Sequence, residues 1–337
     1  MIQGSSDLPE IVRAMLEPGL YQEKPEKVEL LQTQMSFVFL AGEFVYKIKK
    51  AVNLGYLDYT TLEKRHYLCE HEVELNRRLC PDTYLGVLPV IQDGNTIKLG
   101  GTGNIIEYAV KMRYLPQERM MNILLPRNAV SIEMVQQVSQ KLAGFHRKAE
   151  TNTAISAFGS LDSIKTNVDE NFNQTEKSIG RTISAVGYNR IKAYAQSFMT
   201  INTTLLQQRI AGGRIRDCHG DLHAAHICFT DGLCIYDCIE FNDRFRYCDV
   251  ASEIAFLAMD LDHYGRSDLS KDFVNYYVKL SHDNDLLKLL PFYKCYRAYV
   301  RGKVESFKLD DPYIPEDEKA RVVDVAGKYF KLAESYI

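Results

Sequence analysis

Residues 217–230 concentrate side chains that can do chemistry. This stretch reads DCHGDLHAAHICFT and contains three histidines, two cysteines and two aspartates. Residues of these types serve metal centres, nucleophiles paired with a base, and the loops of phosphoryl-transfer sites. Spacing, and the elements that hold these side chains, must decide among the three.

The sequence that follows predicts a β-hairpin. In HICFTDGLCIYD, two β-rich runs flank Asp231-Gly232, a pair that suits a two-residue type I′ turn. This register places His226 opposite Asp237. Residues directly opposite each other have Cβ atoms about 4.5–5.5 Å apart, so we expect both to reach one cation. Asp221 lies in the loop that leads into the first strand.

This spacing is typical of phosphoryl transfer, which needs a carboxylate to accept a hydroxyl proton and nearby ligands for Mg²⁺. The protein-kinase pattern H-R-D-x-x-x-x-N matches His219-Gly220-Asp221-x-x-x-x-His226, with Gly for Arg and His for Asn. By this comparison Asp221 is the catalytic base, Asp237 is a Mg²⁺ ligand, and His226 stands at the second metal position.

The surrounding motifs extend the resemblance. HGDLH and IYDCIEF resemble the catalytic core of aminoglycoside phosphotransferases and choline-kinase-like enzymes. VFLAGEFVYKIKK, LDYTTLEKR, EVELNRRL and YAVKMRYLPQ look like an uncharacterised bacterial branch of that family, sometimes fused to a P-loop ATPase domain. No GxxxxGK[ST] motif occurs, so we expect that domain to be absent. The resemblance implies ATP and Mg²⁺ as cofactors and an unknown hydroxyl-bearing acceptor.

The resemblance also assigns nucleotide-binding residues in the first third of the chain. Lys47 in FVYKIKK corresponds to the lysine that contacts the α- and β-phosphates, and Glu72 on the following helix is its partner. Lys49 lies on the same strand face as Lys47, since side chains repeat every two residues. Lys49 and Glu74 therefore stay open as alternatives to Lys47 and Glu72.

In VKMRYL, the backbone of Arg113, Tyr114 and Leu115 corresponds to the hinge that hydrogen-bonds adenine. The glycine-rich loop of protein kinases is missing, and the stretch in its place is LQTQMS. We expect the phosphates to be covered by polar residues of that stretch: Thr33, Gln34 and Ser36.

His226 departs from the family pattern, because Mg²⁺ prefers oxygen ligands to imidazole. Either the second metal position is altered or the enzyme is weakened. A nucleotide-binding pseudokinase that acts as a regulator or scaffold is therefore the alternative function. His219 is interpreted as a structural support of the loop, and His223 as facing either substrate or solvent.

A β-rich first third and a helical remainder predict an α+β protein with a two-lobed, protein-kinase-like fold. We expect a small β-rich N-terminal lobe over residues 1–115. Residues 116–337 would form a larger, mostly helical C-terminal lobe with the catalytic loop and the hairpin. In that lobe Glu253 resembles the buried acid that supports the catalytic loop. Lys294, Arg297 and Arg301 are helically spaced and are interpreted as a solvated face.

Eight cysteines without a repeating framework predict reduced thiols rather than disulfides. Five of them lie between positions 218 and 248, which makes a zinc site an alternative. Structural zinc sites use close CxxC-like pairs. The hairpin register instead places Cys228 and Cys234 on opposite faces, so buried apolar thiols are favoured.

The composition, 46% hydrophobic and 25% charged over 337 residues, is that of a globular protein. A formal net charge of −3 gives no basic surface for nonspecific nucleic-acid binding. The N-terminus MIQGSSDLPE lacks the features of a signal peptide, and no apolar run is long enough to span a membrane. We expect a cytoplasmic protein without nucleic-acid or membrane partners, and the oligomeric state is unknown.

Overall fold

The computed structural model describes residues 8–230, 232–310 and 314–337. Its contacts divide the chain into two units. The first holds the described residues up to Arg119 together with Cys228–Asp243, and the second holds Met120–Ile227 and Arg244–Ile337. The first unit is built on a β-sheet and the second is mostly helical. The predicted α+β class, with a small β-rich part and a larger helical part, is confirmed.

The division differs from the expected one at the hairpin. We placed residues 228–243 in the C-terminal lobe, whereas they group with the N-terminal residues. Covalent and ionic links explain this grouping. Cys234 is bonded to Cys80, and Asp237 contacts Lys47.

The sheet of the first unit has six antiparallel strands in the order β1-β2-β3-β6-β4-β5. The sequence SFVFLAGEFVYKIKK predicts a turn at Ala41-Gly42-Glu43; this turn joins β2 and β3, and Gly42 adopts a φ of 63° that favours glycine. The first strand was not predicted: Glu29 and Gln32 are polar, and the adjacent pair Leu30-Leu31 interrupts the alternation. The strands are β1 (Val28–Gln32), β2 (Ser36–Ala41), β3 (Phe44–Lys49), β4 (Tyr84–Asp93), β5 (Thr96–Leu99) and β6 (Asn104–Arg113).

Alternation along β3 separates an apolar face from a charged face. Tyr46 and Ile48 are buried in a cluster with residues of the N-terminal helix α1 (Glu10–Met15). Lys47 and Lys49 therefore point to the opposite face, where they meet Glu72. The sequence SSDLPEIVRAML predicts a Ser/Asp cap for α1, but positions 5–7 lie outside the described residues.

The long helix α2 (Leu62–Arg77) carries Glu72. The sequence YTTLEKR predicts a threonine cap for this helix, and the Thr61 side chain accepts a hydrogen bond from the Lys64 N–H at 3.3 Å. Apolar residues of α2 pack with Tyr84 and Val110 of the sheet. This packing buries the α2 face on which Glu72 lies.

The hairpin is shorter than predicted. Strands β8 (Ile227–Phe229) and β9 (Leu233–Ile235) form a two-stranded sheet, and Asp231 of the predicted turn lies outside the described residues. His226 belongs to a short 3₁₀ helix before β8, and Asp237 follows β9. Neither residue is part of the paired strands.

One cysteine pair contradicts the expectation of reduced thiols. Cys80, just after α2, and Cys234 on β9 form a disulfide across 154 positions of sequence. Two residues this distant in sequence meet only through the packing of α2 beside the hairpin. Cys218, Cys228 and Cys238 are buried thiols outside the disulfide, as expected.

The second unit is organised around α10, in which every residue from Val250 to Leu261 is buried. A helix that is apolar nearly all round belongs in a core. None of the helices among the described residues combines the length and apolar character needed to cross a membrane. The remaining elements, in chain order, are α3 (Met121–Leu124), α4 (Ile132–Lys148), α5 (Thr153–Ser156), α6 (Leu161–Thr175), α7 (Ala185–Ile201), α8 (Thr203–Ala211), β7 (Ile215–Asp217), α9 (Asp243–Arg246), β10 (Tyr247–Asp249), α10 (Val250–His263), α11 (Ser267–Ser281), α12 (Leu286–Phe307) and α13 (Glu316–Glu334).

Candidate active site

The predicted site residues fall into two groups, one in each unit. In the first unit, the Lys47 Nζ lies 3.0 Å from Glu72 Oε1 and 3.1 Å from Asp237 Oδ1. Residues from β3, α2 and the segment after β9 thus meet at one ammonium group. The geometry joins three residues that are up to 190 positions apart in sequence.

Lys49 makes a parallel set of contacts. Its Nζ lies 2.7 Å from Glu72 Oε2 and also bonds Glu240 Oε1, while the Tyr59 hydroxyl donates to the same Glu240 oxygen at 2.7 Å. The Lys49 side chain is 1% exposed, against 17% for Lys47. Lys47 is therefore the lysine that a ligand can reach, and Lys49 is enclosed.

Sequence reasoning missed Glu240. Its only signal was its position three residues after Asp237 in IYDCIEF. Glu74, the alternative to Glu72, is 78% exposed and faces His71 at 3.5 Å, so it does not contact the lysines. We call Lys47, Lys49, Glu72, Asp237 and Glu240 the lysine–carboxylate cluster.

Charge governs this cluster. Burial lowers the pKa of Lys47, but the carboxylates of Asp237, Glu72 and Glu240 outweigh it and hold that pKa well above its ordinary value. Burial also lowers the pKa of Lys49, but the carboxylates of Glu240 and Glu72 outweigh it and hold that pKa well above its ordinary value. Both lysines are therefore cationic at neutral pH.

Asp237 is held in an unusual backbone conformation. Its φ is 62°, in the left-handed region that non-glycine residues seldom adopt. The Asp237 N–H donates to the Tyr84 hydroxyl at 3.3 Å, and the next N–H, of Cys238, donates to Asn76 Oδ1 at 2.9 Å. These bonds fix the turn that aims the Asp237 carboxylate at Lys47.

The second group surrounds Asp221. The Ala225 N–H donates to His223 Nδ1 at 3.3 Å, which leaves the proton of a neutral His223 on Nε2, 3.4 Å from Asp221 Oδ2. His226 Nδ1 lies 2.9 Å from the Asp221 carbonyl oxygen, which can only accept, so this nitrogen carries a proton. His223 and His226 therefore present N–H groups to Asp221.

Asp221, His223 and His226 bring potential ligand atoms within 4.8 Å of one another, close enough for a metal ion. The nitrogens that face Asp221 are donors, however, and a protonated nitrogen offers no lone pair to an ion. Burial raises the pKa of Asp221, but His223, His226 and Arg301 outweigh it and keep that pKa well below its ordinary value. The arrangement favours an ionised, oriented carboxylate.

Glu253 accepts hydrogen bonds from the loop that carries Asp221. Its carboxylate accepts the N–H groups of His219 at 2.7 Å and Gly220 at 3.2 Å, and it lies 3.2 Å from His146 Nε2. Arg297 also donates to the Gly220 carbonyl, at 3.2 Å. Arg297 is only 7% exposed. The interpretation of Lys294, Arg297 and Arg301 as a solvated face was therefore wrong.

Glu253 gives the loop a testable pH dependence. Burial raises the pKa of Glu253. The hydrogen bond with His146, the charges of His146 and His219, and the hydrogen bond from the Gly220 N–H outweigh burial and lower this pKa to about 2. A pKa lowered from about 4.3 in the unfolded chain corresponds to about 3 kcal/mol of stability at neutral pH. This contribution is present above about pH 4.3 and is lost as the pH falls toward 2.

We expect Glu253→Gln to lower the free energy of unfolding by about 3 kcal/mol at neutral pH. The difference from wild type should shrink below about pH 4, where the wild-type carboxylate becomes protonated. Urea unfolding at several pH values measures both effects. A difference that is constant with pH would mean that the charge of Glu253 is not what stabilises the loop.

The proposed hinge residues differ in what their backbone can offer. The Arg113 N–H donates to the Thr83 carbonyl at 2.9 Å, and the Tyr114 N–H donates to the Glu43 carbonyl at 2.8 Å. These two donors are already used in the fold. Of the three predicted residues, only Leu115 has an N–H that makes no such backbone bond within the described part of the chain, so it is the one that could bind a nucleotide base.

The predicted phosphate-covering stretch forms the turn between β1 and β2. The Thr33 side chain accepts N–H groups from Met35 at 3.2 Å and Ser36 at 2.9 Å, which closes the turn. Ser36 is 2% exposed, so its hydroxyl is not available to a phosphate. Thr33 and Gln34 stay as the exposed polar residues of this turn.

The donor chemistry of the first group suits Mg²⁺. Asp237 offers a hard carboxylate oxygen, and the lysine–carboxylate cluster has two positive and three negative groups. A net negative charge beside an oxygen ligand favours a divalent cation. His226 does not suit Mg²⁺, because imidazole is a ligand of softer metals.

No protein-family profile matches the chain. Two curated relatives, uncharacterised proteins of Mycobacterium tuberculosis and Mycobacterium bovis, are each 32% identical over 282 residues. The alignments cover 83% of this chain and 55% of each relative. The chain therefore spans about half the length of the curated relatives it matches.

Solved structures resemble the chain over nearly all of its length. A choline/ethanolamine kinase family protein from Mesorhizobium loti has a TM-score of 0.52 at 14% identity, over 96% of this chain and 99% of its own. The GDP complex of a mutant aminoglycoside 2′-phosphotransferase-IIIa has a TM-score of 0.50 at 13% identity, over 95% and 96%. The chain has the kinase-like fold of these proteins, the group that its sequence motifs resemble.

Proposed function

We propose that the protein is an ATP- and Mg²⁺-dependent phosphotransferase that moves the γ-phosphoryl group of ATP to a hydroxyl of a small-molecule acceptor. The observation that carries this proposal is the ammonium of Lys47, which contacts both Glu72 and Asp237. A strand lysine paired with a helix glutamate, near an aspartate that can hold a metal, is the phosphate-binding arrangement of kinases.

In this mechanism Lys47 binds phosphate oxygens of the nucleotide, and Glu72 orients the lysine. Asp221 accepts the proton of the acceptor hydroxyl, while the His223 N–H faces the Asp221 carboxylate and the His226 N–H holds the Asp221 carbonyl oxygen. Asp237 would hold Mg²⁺, which would supply charge neutralisation at the phosphates. We further propose that the Leu115 N–H binds the nucleotide base.

A choline/ethanolamine kinase family protein and a GDP-bound phosphotransferase share the fold, which supports phosphoryl transfer as the reaction class. The GDP complex is a reason to test guanine nucleotides beside adenine nucleotides. Neither of these structures identifies the acceptor of this protein, because substrate pockets vary among proteins that share a fold.

The test begins with thermal unfolding in the presence of ATP, GTP, ADP and GDP, each with Mg²⁺ or Mn²⁺. We expect at least one nucleoside triphosphate to raise Tm in a metal-dependent way, since a ligand that binds only the folded state stabilises it. Transfer of labelled phosphate from that nucleotide to a panel of hydroxyl compounds then identifies the acceptor. No Tm shift with any nucleotide would contradict the proposal.

His226 supports a second candidate, a nucleotide-binding pseudokinase. Its Nδ1 is engaged with the Asp221 backbone, at a position where active kinases present an amide oxygen to the metal. If the protein is a pseudokinase, His226→Asn should create or raise phosphotransfer activity. Robust Mg²⁺-dependent transfer by the wild-type protein would exclude this candidate.

A further inference from the structure

We infer that Glu240 is a positioning residue that sets the affinity of Asp237 for a divalent cation by neutralising Lys49. The inference rests on the proposed function, in which Asp237 holds the ion. Glu240 is not itself assigned as a ligand of the ion. It acts through the charge of the lysine–carboxylate cluster.

The geometry shows why a second glutamate is needed. Glu72 is shared: its Oε1 lies 3.0 Å from Lys47 Nζ, and its Oε2 lies 2.7 Å from Lys49 Nζ. One carboxylate cannot balance two ammonium groups. Glu240 bonds Lys49 and supplies the second negative charge, and its side chain is only 5% exposed.

With Glu72 and Glu240 balancing the two lysines, Asp237 is the third carboxylate. Its side chain is 43% exposed, while those of Glu72 and Glu240 are at most 5% exposed. Asp237 is thus the carboxylate that an ion from solution can reach. The cluster therefore has a net charge of −1, which attracts that ion.

Loss of the Glu240 charge would change this balance. Glu72 and Asp237 would then be the two counter-charges of the two lysines, and the cluster would be neutral. Asp237 would be held more firmly by Lys47, 3.1 Å away, and a divalent cation would have to compete with that ammonium. The affinity for the cation should fall although every candidate metal ligand is still present.

Mn²⁺ binding tests the inference without any acceptor or turnover. We would titrate Mn²⁺ alone into the protein and follow the electron paramagnetic resonance signal of the free ion. We expect Glu240→Gln to weaken Mn²⁺ binding by at least about tenfold, or about 1.4 kcal/mol. Lys49→Met should do the opposite and tighten binding, because it leaves the cluster with two net negative charges.

A matched control separates this charge effect from a structural one. Glu107 is also buried in the first unit and pairs with Arg65 at 2.8 Å, but it lies outside the lysine–carboxylate cluster. Glu107→Gln breaks a comparable ion pair and should leave Mn²⁺ affinity unchanged. If Glu107→Gln weakened binding as much as Glu240→Gln, or if Lys49→Met also weakened it, the inference would be overturned.

The double variant Lys49→Met/Glu240→Gln covers the case in which a single variant does not fold. It removes both charges of a buried pair, which costs far less stability than removing one. It also restores one net negative charge, so Mn²⁺ affinity should return to within about twofold of wild type. Affinity that stays as low as in Glu240→Gln would refute the charge argument.

Asp237→Asn distinguishes this inference from the proposed function. If Asp237→Asn abolishes Mn²⁺ binding while Glu240→Gln has no effect, only the inference fails. If Asp237→Asn leaves Mn²⁺ binding intact, or if the wild-type protein does not bind Mn²⁺, the metal assignment fails and the inference fails with it.

Discussion

Asp221→Asn is expected to lower kcat for phosphoryl transfer by about 10²–10⁴-fold, the usual contribution of a positioned general base. An amide cannot accept the proton of the acceptor hydroxyl. Nucleotide affinity should change little, because the proposed phosphate contacts belong to Lys47 and Asp237. Steady-state kinetics and nucleotide titration by calorimetry would measure the two quantities separately.

Asp324→Asn is the matched control for this substitution. Asp324 pairs with Lys328 on the surface of α13, and both side chains are 60% exposed. Surface pairs of this kind contribute little to stability, so kcat should be unchanged. Equal activity in Asp221→Asn and wild type would remove Asp221 from the mechanism.

Lys47→Met is expected to affect mainly catalysis, and Lys49→Met is expected to affect mainly stability. Lys47 is the reachable lysine, so its loss should lower kcat/KM by about 10²–10³-fold, as for removal of one group that stabilises transition-state charge. Lys49 is enclosed between Glu72 and Glu240. Removing one partner of a buried pair should lower the free energy of unfolding by about 3–5 kcal/mol.

Urea unfolding and kinetics on the two variants decide between the lysines. Lys47→Met should lose less stability than Lys49→Met, since its ammonium is partly open to solvent. Under conditions where Lys49→Met is folded, it should retain more activity than Lys47→Met. The reverse order of activities would make Lys49 the phosphate-binding lysine, the alternative that the sequence left open.

Local sequence patterns predicted some boundaries of the elements in the first unit. Gly42 marked the turn between β2 and β3, and Thr61 marked the start of α2. Both signals act within a few residues, through a backbone angle that favours glycine and a side chain that caps a helix. The same locality explains why Lys47 and Lys49 could be placed on one strand face.

The loop around Asp221 was predictable for a related reason. The spacing from His219 to His226 is a local motif, and in the structure His223 faces the Asp221 carboxylate while His226 bonds the Asp221 carbonyl oxygen. The roles of these residues remain predictions until the variants are measured. What the motif could not reveal was the direction of each hydrogen bond, which depends on backbone groups such as the Ala225 N–H.

The sequence by itself determined the class of fold, the motif around Asp221 and the shared face of Lys47 and Lys49. Only the tertiary structure decided that Cys80 is bonded to Cys234 and that Glu240 accompanies Lys49. These contacts join positions more than 150 residues apart. Chain periodicity carries no information about such pairs, because they form only when α2, β3 and the segment after β9 pack together.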